Sequence, residues 1–326
     1  MVITIQNFPS EAASPKPKGS EIFLLQDGRQ LSYYAAGPLN GQPIFYFHGS
    51  PGSRLESLTL AQTALARQSR IIAPERPGMG HSSFNPGYTL LDYTQDVLAL
   101  ADELGFKTFG VMGHSGGGVT ALSCAYAMPE RLDFVFDLAG WAPMTVPALK
   151  AQITAIDRFL AERCNPQPTA NKTNADKTNA DKTNQVPTLF QFPFTLLGLA
   201  AKALPPATFV KLLHQSKYFC DEDYAILSNP DAANFLIGSV RESFVQGSEG
   251  AAYDALLRYQ DWGFELSEID FPVHIFHGDR DISAPYHFAE YKHRHLPNSK
   301  LHTYPGEGHF FLWSHWEDIF RSIEPG

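Results

Sequence analysis

Across 326 residues, 44% hydrophobic and 18% charged side chains describe an ordinary globular chain with the apolar mass for a large core, and exclude a fibre or a wholly disordered polymer. Thirty-four acidic residues against 25 basic ones leave a formal net charge of −9, a field that repels a phosphate backbone, so nucleic acid is not an expected partner. Cys124, Cys164 and Cys220 are odd in number and far apart, with neither metal-ligand spacing nor disulfide density, and read as free thiols in a reducing compartment.

The first twenty residues, MVITIQNFPSEAASPKPKGS, carry Pro9, Pro15 and Pro17 before any periodic segment and lack a cationic start followed by an apolar run. They read as a flexible tail of a cytoplasmic protein. From Glu21, EIFLLQ and QLSYYAAG flank the turn Asp27-Gly28-Arg29 and predict a β-hairpin. Apolar runs then alternate with helical stretches: PIFYF, RIIAP, TFGVM and LDFVFDLAG interleave with LESLTLAQTALARQ, TLLDYTQDVLALADELG and GGGVTALSCAYAMPE. Strands apolar on both faces and separated by helices predict a parallel sheet with crossover connections.

Within residues 141–266 the strand signal gives way to helical, aromatic and proline-punctuated segments. Inside this stretch, residues 166–187 hold the polar run KTNADKTNADKTNQ, whose five-residue period is too short for a stacking repeat and too polar to offset its ordering entropy; a loop is expected. The most apolar window, Leu189 to Pro206, is interrupted by Pro193 and Lys202 and is too short for a bilayer, so no stable membrane insertion is expected. The βα rhythm resumes over residues 267–326 with FPVHIFHG, a helix from Pro285 to Leu296, KLHTYP and a last helix between Gly308 and Ile323. The expected architecture is α/β: a mostly parallel, twisted eight-stranded sheet with helices on both faces, its core split into residues 21–140 and 267–326 by a helical lid inserted after strand 6.

The chemistry concentrates at Gly113-His114-Ser115-Gly116-Gly117, a G-x-S-x-G run between a predicted strand and a predicted helix. A serine on such a turn sits in a strained backbone conformation, and the positions two before and two after it must lack a Cβ so that strand and helix can approach. An alcohol is a weak nucleophile until a base and an orienting acid reach it. Downstream, Asp279 and Asp281 follow the strand VHIFHG, and His309 follows KLHTYP, so carboxylate and imidazole fall at the carboxyl ends of parallel strands where open α/β sheets bind ligands.

With the elbow, HGSPGSR from His48, ERPGMGHSS from Glu75, and the GDRD and GEGH runs, the chain from about Glu21 to Ile323 resembles the α/β-hydrolase fold family, in its lid-bearing serine esterase and lipase-like branch. The resemblance implies Ser115 as nucleophile, His309 as general base and, through the pattern G-x-x-D, Asp281 rather than Asp279 as the acid. It implies an oxyanion hole from the backbone N–H groups of Ser50 and Gly116, and a carboxylesterase-like enzyme that takes a small, partly apolar molecule and needs no metal or cofactor. HGSPG also resembles the HGGPG of proline iminopeptidases, with serine in place of the second glycine, so an aminopeptidase is an alternative; a ligand-binding protein that has lost its chemistry is another.

Trp141, Met144 and Phe310 are the expected substrate-binding side chains, with Phe192, Phe194 and Trp262 as further pocket aromatics, and His81 and Ser82 as rim. His48 and His114 read as packed, His274, His277, His293 and His295 as solvated or structural rather than metal ligands, and Glu75 and Arg76 as loop pins. A rival reading takes Gly110, Gly113 and Gly116 with Asp137 as a dinucleotide site, but the spacing is G-x-x-G-x-x-G and it lies several strands into the sheet.

Overall fold

A computed structural model describes residues 20–164 and 186–323. The expected N-terminal tail, apart from Ser20, and the KTNAD loop lie outside the described residues. Eight strands form one sheet: β1 (Ser20–Leu24), β2 (Gln30–Ala36), β3 (Gln42–Phe47), β4 (Ser69–Pro74), β5 (Phe109–His114), β6 (Leu132–Leu138), β7 (Val273–Gly278) and β8 (Ser299–Tyr304). All eight coincide with the segments read from the sequence. Their spatial order is β1-β2-β4-β3-β5-β6-β7-β8; β1 and β2 pair antiparallel, β2 and β4 likewise, and the remaining pairs are parallel.

The hairpin closes with Leu25 N donating to Arg29 O at 2.8 Å and Gly28 at φ 86°, a value a glycine adopts without a Cβ penalty. The central strands β3 and β5 are buried on both faces because most of their side chains are apolar on both. Phe45, Phe47 and Val111 belong to one core cluster, and Ile44, Tyr46 and Met112 to another on the opposite face. Helices α2 (Leu90–Glu103) and α3 (Gly116–Ala127) supply Val97, Leu100, Val119 and Leu122 to the first cluster. Helix α1 (Ala61–Ala66) supplies Ala64 to the second. The start of α2 is set by a capping box in which Thr89 Oγ1 accepts from Asp92 N and Asp92 Oδ2 accepts from Thr89 N.

Between β6 and β7 the described residues form helices α4 (Pro147–Lys150), α5 (Ala155–Ala161), α6 (Thr188–Ala203), α7 (Pro206–Gln215), α8 (Asp221–Leu227), α9 (Pro230–Ser243) and α10 (Glu249–Tyr259). The window read as too short for a bilayer is α6, with Pro193 inside it. Phe190, Phe194, Gly198 and Ala201 face inward at helical spacing, while Leu189, Phe192, Leu196 and Leu199 are exposed. Among the described residues no helix is long and apolar enough to cross a membrane. Two helices complete the chain, α11 (His287–His295) and α12 (Leu312–Arg321), one on each face: Phe288 enters the first core cluster, Trp316 and Ile319 the second.

Candidate active site

Ser115 sits where β5 ends and α3 begins, at φ 54° and ψ −118°. That left-handed φ on a residue with a Cβ is a strained conformation, held because Ser115 N donates to Leu138 O at 2.9 Å and Ser115 O accepts from Gly118 N at 3.0 Å. The steric reading of the flanking glycines holds in detail. A Cβ on Gly113 would overlap the Gly117 carbonyl, and one on Gly117 would overlap the Phe47 carbonyl of the neighbouring strand. The elbow therefore aims Ser115 at the carboxyl end of the sheet, with the N-terminus of α3 behind it.

The expected acid and base, Asp281 and His309, lie on two loops, after β7 and after β8. Asp281 Oδ1 accepts from Ser283 N at 2.8 Å and from Ala284 N at 2.9 Å, which leaves Oδ2 to accept from His309 Nδ1 at 2.6 Å. Burial alone would raise the Asp281 pKa, but the His309 charge and the hydrogen bonds from His277 and His309 outweigh it and hold the carboxyl well below its usual range. For His309, burial lowers the pKa, and the attraction and hydrogen bond of Asp281 more than reverse that, so the imidazole sits above its ordinary 6.5. Asp279 serves the backbone instead, with Oδ1 accepting from Gly306 N at 2.7 Å and shaping the loop after β8. Of the two aspartates, Asp281 is the one bonded to the imidazole.

His114 connects the two halves of the site. Its ring lies 4.7 Å from the His309 ring, centroid to centroid, and its Nε2 lies 3.3 Å from His309 O. Its Nδ1 contacts Glu56 Oε1 at 2.5 Å, and Glu56 also accepts from Tyr46 Oη at 2.7 Å and Gly49 N at 2.8 Å. Burial would raise the Glu56 pKa, yet His114 pulls it down to about 2, so a carboxylate stays ionised inside the core. The expectation that His114 is a packed histidine is met, and so is that for His48, which is fully buried with Nδ1 2.8 Å from Gly49 O. Burial and the Arg76 charge lower the His48 pKa to about 3 and keep it neutral.

The loop His48 to Ser53 is held in place by side chains from distant elements. Arg76 donates to His48 O at 2.6 Å and Gly49 O at 2.8 Å, and its Nε pairs with Asp254 Oδ1 of α10 at 2.6 Å. Asp254 Oδ2 in turn accepts from Ser50 Oγ at 2.6 Å. With the loop carbonyls tied to Arg76, Ser50 lies against the start of α3: a Cβ on Gly116 would stand 3.6 Å from Ser50 N and 2.9 Å from Ser50 Cβ. The two residues expected to supply an oxyanion hole are thus neighbours. Glu75 pins its own loop, accepting from Arg54 Nη1 at 2.5 Å and His81 N at 2.9 Å.

The expected pocket residues fare unevenly. Trp141 is buried beneath the Arg258 guanidinium, 4.3 Å from ring centroid to Cζ, and its N donates to Ser115 O at 3.3 Å. Phe310 is buried against the His309 and His114 rings, at 5.5 and 6.1 Å. Met144 is fully buried in the first core cluster. Two expectations are corrected. Ser82 is no rim residue but a buried link between Glu75 O and Ser32 N, and Phe192 points out to solvent at 57% exposure because the inward stripe of α6 runs through Phe190 and Phe194.

Several residues at the site escaped the sequence reading. His277, read as solvated or structural, is the latter: it is fully buried with Nε2 2.7 Å from Ala284 O and 3.2 Å from Asp281 Oδ2, a bracing of Asp281 that no local motif announced. Asp223 of α8 accepts from Phe310 N at 3.0 Å and from Cys220 Sγ at 3.0 Å, directly behind His309. Glu56, Asp254 and Arg258 carry no local motif. Asp137, the acid that a dinucleotide site would need, is fully buried and bonded to Lys292 of α11, out of reach of any ribose.

Comparison with known proteins agrees with this architecture. The model of the α/β hydrolase fold family matches residues 42–315. A non-heme chloroperoxidase of Streptomyces lividans is 26% identical over 301 residues, covering 89% of this chain and 93% of that one. A bifunctional esterase/perhydrolase of Acinetobacter calcoaceticus is 26% identical over 303 residues, 91% of this chain and 96% of the other. Among solved structures, a thermophilic esterase from Thermogutta terrifontis superposes with a TM-score of 0.63 at 17% identity, covering 93% and 96% of the two chains. With a family model spanning most of its length, the chain belongs to the α/β hydrolase fold family.

Proposed function

We propose that the protein is a serine hydrolase that cleaves an ester, thioester, lactone or amide bond of a small, partly apolar molecule through an acyl-enzyme. The observation that carries this reading is the Asp281–His309 hydrogen bond of 2.6 Å, at the same end of the sheet as a serine strained at φ 54°. In this scheme His309 Nε2 takes the Ser115 Oγ proton as Oγ bonds to the substrate carbonyl carbon. The charge that develops on the carbonyl oxygen is met by the N–H groups of Ser50 and Gly116 and by the α3 dipole. Collapse expels the leaving group, which takes the proton from His309. Water, deprotonated by the same imidazole, then releases the acid and restores Ser115. Asp281 keeps Nδ1 protonated, so that Nε2 is the basic nitrogen at each step.

A second reading concerns the nucleophile of the last step. Hydrogen peroxide attacking the same acyl-enzyme would yield a peroxy acid, and the perhydrolase in the name of the Acinetobacter relative favours testing it. Purified protein and a Ser115→Ala variant, given a fluorophosphonate probe and p-nitrophenyl esters of graded chain length with and without peroxide, test both. Labelling and turnover in the parent, with a loss of at least roughly 10³-fold in the variant, are expected. A folded parent that neither labels nor turns over any ester contradicts the reading and favours a non-catalytic binding protein.

A further inference from the structure

Arg258 of α10 is a buried cation whose polar edge is used only in part, by Tyr259. Its side chain is 5% exposed, and neither Nε nor Nη1 has a hydrogen-bond partner among the described residues. The carboxylates around it are committed elsewhere. Asp254, one turn away, pairs with Arg76 and Ser50; Asp157 accepts from Thr154 Oγ1 at 2.6 Å and Tyr259 Oη at 2.5 Å. One face of the guanidinium lies over Trp141, and Nη1 would stand 3.1 Å from a Cβ on Gly116. The unpartnered Nη1 is therefore beside the residue whose own N–H is assigned to the oxyanion hole. Leaving a buried guanidinium unpaired is costly, and an anion seated on it recovers that cost in a charge-assisted contact.

We propose that Arg258 receives a carboxylate on the acyl part of the substrate, so that the protein acts on half-esters of short dicarboxylic acids or on similarly acidic acyl compounds. This rests on the serine-hydrolase reading above and deepens it. Nη1 stands next to Gly116, the neighbour of Ser115 in the chain, so the acid proposed is a short one, with one carboxyl on Arg258 and the other at Ser115. Trp141 holds the guanidinium flat, and Asp254 and Asp157 keep the positive charge in place without quenching it.

The test compares monoethyl succinate with ethyl pentanoate, substrates of similar length that differ in the terminal charge, by proton release with the parent, Arg258→Gln and Arg258→Lys. The parent is expected to prefer the half-ester. In Arg258→Gln the ratio of kcat/KM for charged over neutral ester is expected to fall about 10- to 100-fold, the scale of a hydrogen bond to a charged group, and Arg258→Lys to recover part of it. A ratio unchanged in Arg258→Gln, or an equal loss on both esters, overturns the proposal and leaves Arg258 a structural or oxyanion-side residue. Calorimetric titration of succinate into Ser115→Ala and Ser115→Ala/Arg258→Gln is independent of turnover: binding at least roughly 10-fold weaker in the double variant supports the site, and equal binding overturns it. A parent that hydrolyses no ester yet binds succinate through Arg258 would sink the hydrolase reading and retain the carboxylate site.

Discussion

The carboxyl of Asp281 and the imidazole of His309 shift each other in opposite directions, and this sets a pH signature. A base works only when neutral, so turnover is expected to rise with pH through a His309 pKa above 6.5. Asp281→Asn removes the charge that raises it. The rising limb is expected to move to lower pH, while kcat falls on the order of 10⁴-fold because the imidazole loses its fixed tautomer. A pH–rate profile of the variant with an unmoved limb would contradict this assignment. Stability carries the same signs. The lowered Asp281 pKa contributes stability above its ordinary 3.8 that is lost on acidification, and the raised His309 pKa contributes stability below 6.5 that is lost as pH climbs past the folded value. The pair stabilises the fold most between those limits, and denaturant midpoints of Asp281→Asn should lack that maximum.

At the scale of elements, the strand-to-helix elbow shows why its residues could be named in advance. Gly113, Ser115 and Gly117 answer to constraints set by their own neighbours in the chain and by one adjacent strand, so a five-residue pattern records them. Gly117→Ala places a methyl on the Phe47 carbonyl, backbone that cannot step aside. The expected loss is about 2 kcal/mol or more, read as a lower guanidinium midpoint with an unchanged slope. Gly105→Ala, where a Cβ meets nothing within 4 Å but φ is +75°, reports a different cost, that of the backbone angle. A Gly117→Ala variant that unfolds at the parent's denaturant concentration would mean that the close approach of α3 to β3 contributes nothing. The eight strands were equally legible, since each is a short apolar run bounded by turn residues. Their order was not: the exchange of β3 and β4 depends on which edges meet, and both segments look alike.

The whole molecule is tied together by buried charges that bridge remote parts of the chain. Lys292 of α11 donates to Asp137 at the end of β6 and, at 2.6 Å, to Gly140 O, all at zero exposure for both side chains. Burial lowers the Lys292 pKa and Asp137 offsets part of that, so the ammonium depends on its partner. Lys292→Met leaves an uncompensated carboxylate in the core and is expected to destabilise by about 3–5 kcal/mol, whereas Lys292→Met with Asp137→Asn should recover much of the loss. Chemical denaturation of the three variants measures the coupling; additive losses would mean that the pair acts as two independent groups. The helical insertion adds a second set of ties. Asp254 reaches Arg76 and Ser50, and Glu242 accepts from Arg54 Nη1 at 2.7 Å, so α9 and α10 are anchored to the loops that follow β3 and β4.

What the amino-acid sequence determined by itself is whatever local sterics and periodicity encode: the strands, the main helices of the core, the serine on its elbow, and the aspartate and histidine at strand ends. Those features are short-range, and their residue types have few other uses in such patterns. Only the tertiary structure decided the sheet order, the bracing of Asp281 by His277, and the Glu56–His114 and Asp254–Ser50 contacts. It also decided the position of Arg258 beside Gly116. The Asp254–Ser50 contact joins residues 204 apart in the chain. A charged side chain on a helix of the insertion reads as solvated until packing removes the water around it, and only the assembled fold states which charges are left without a partner.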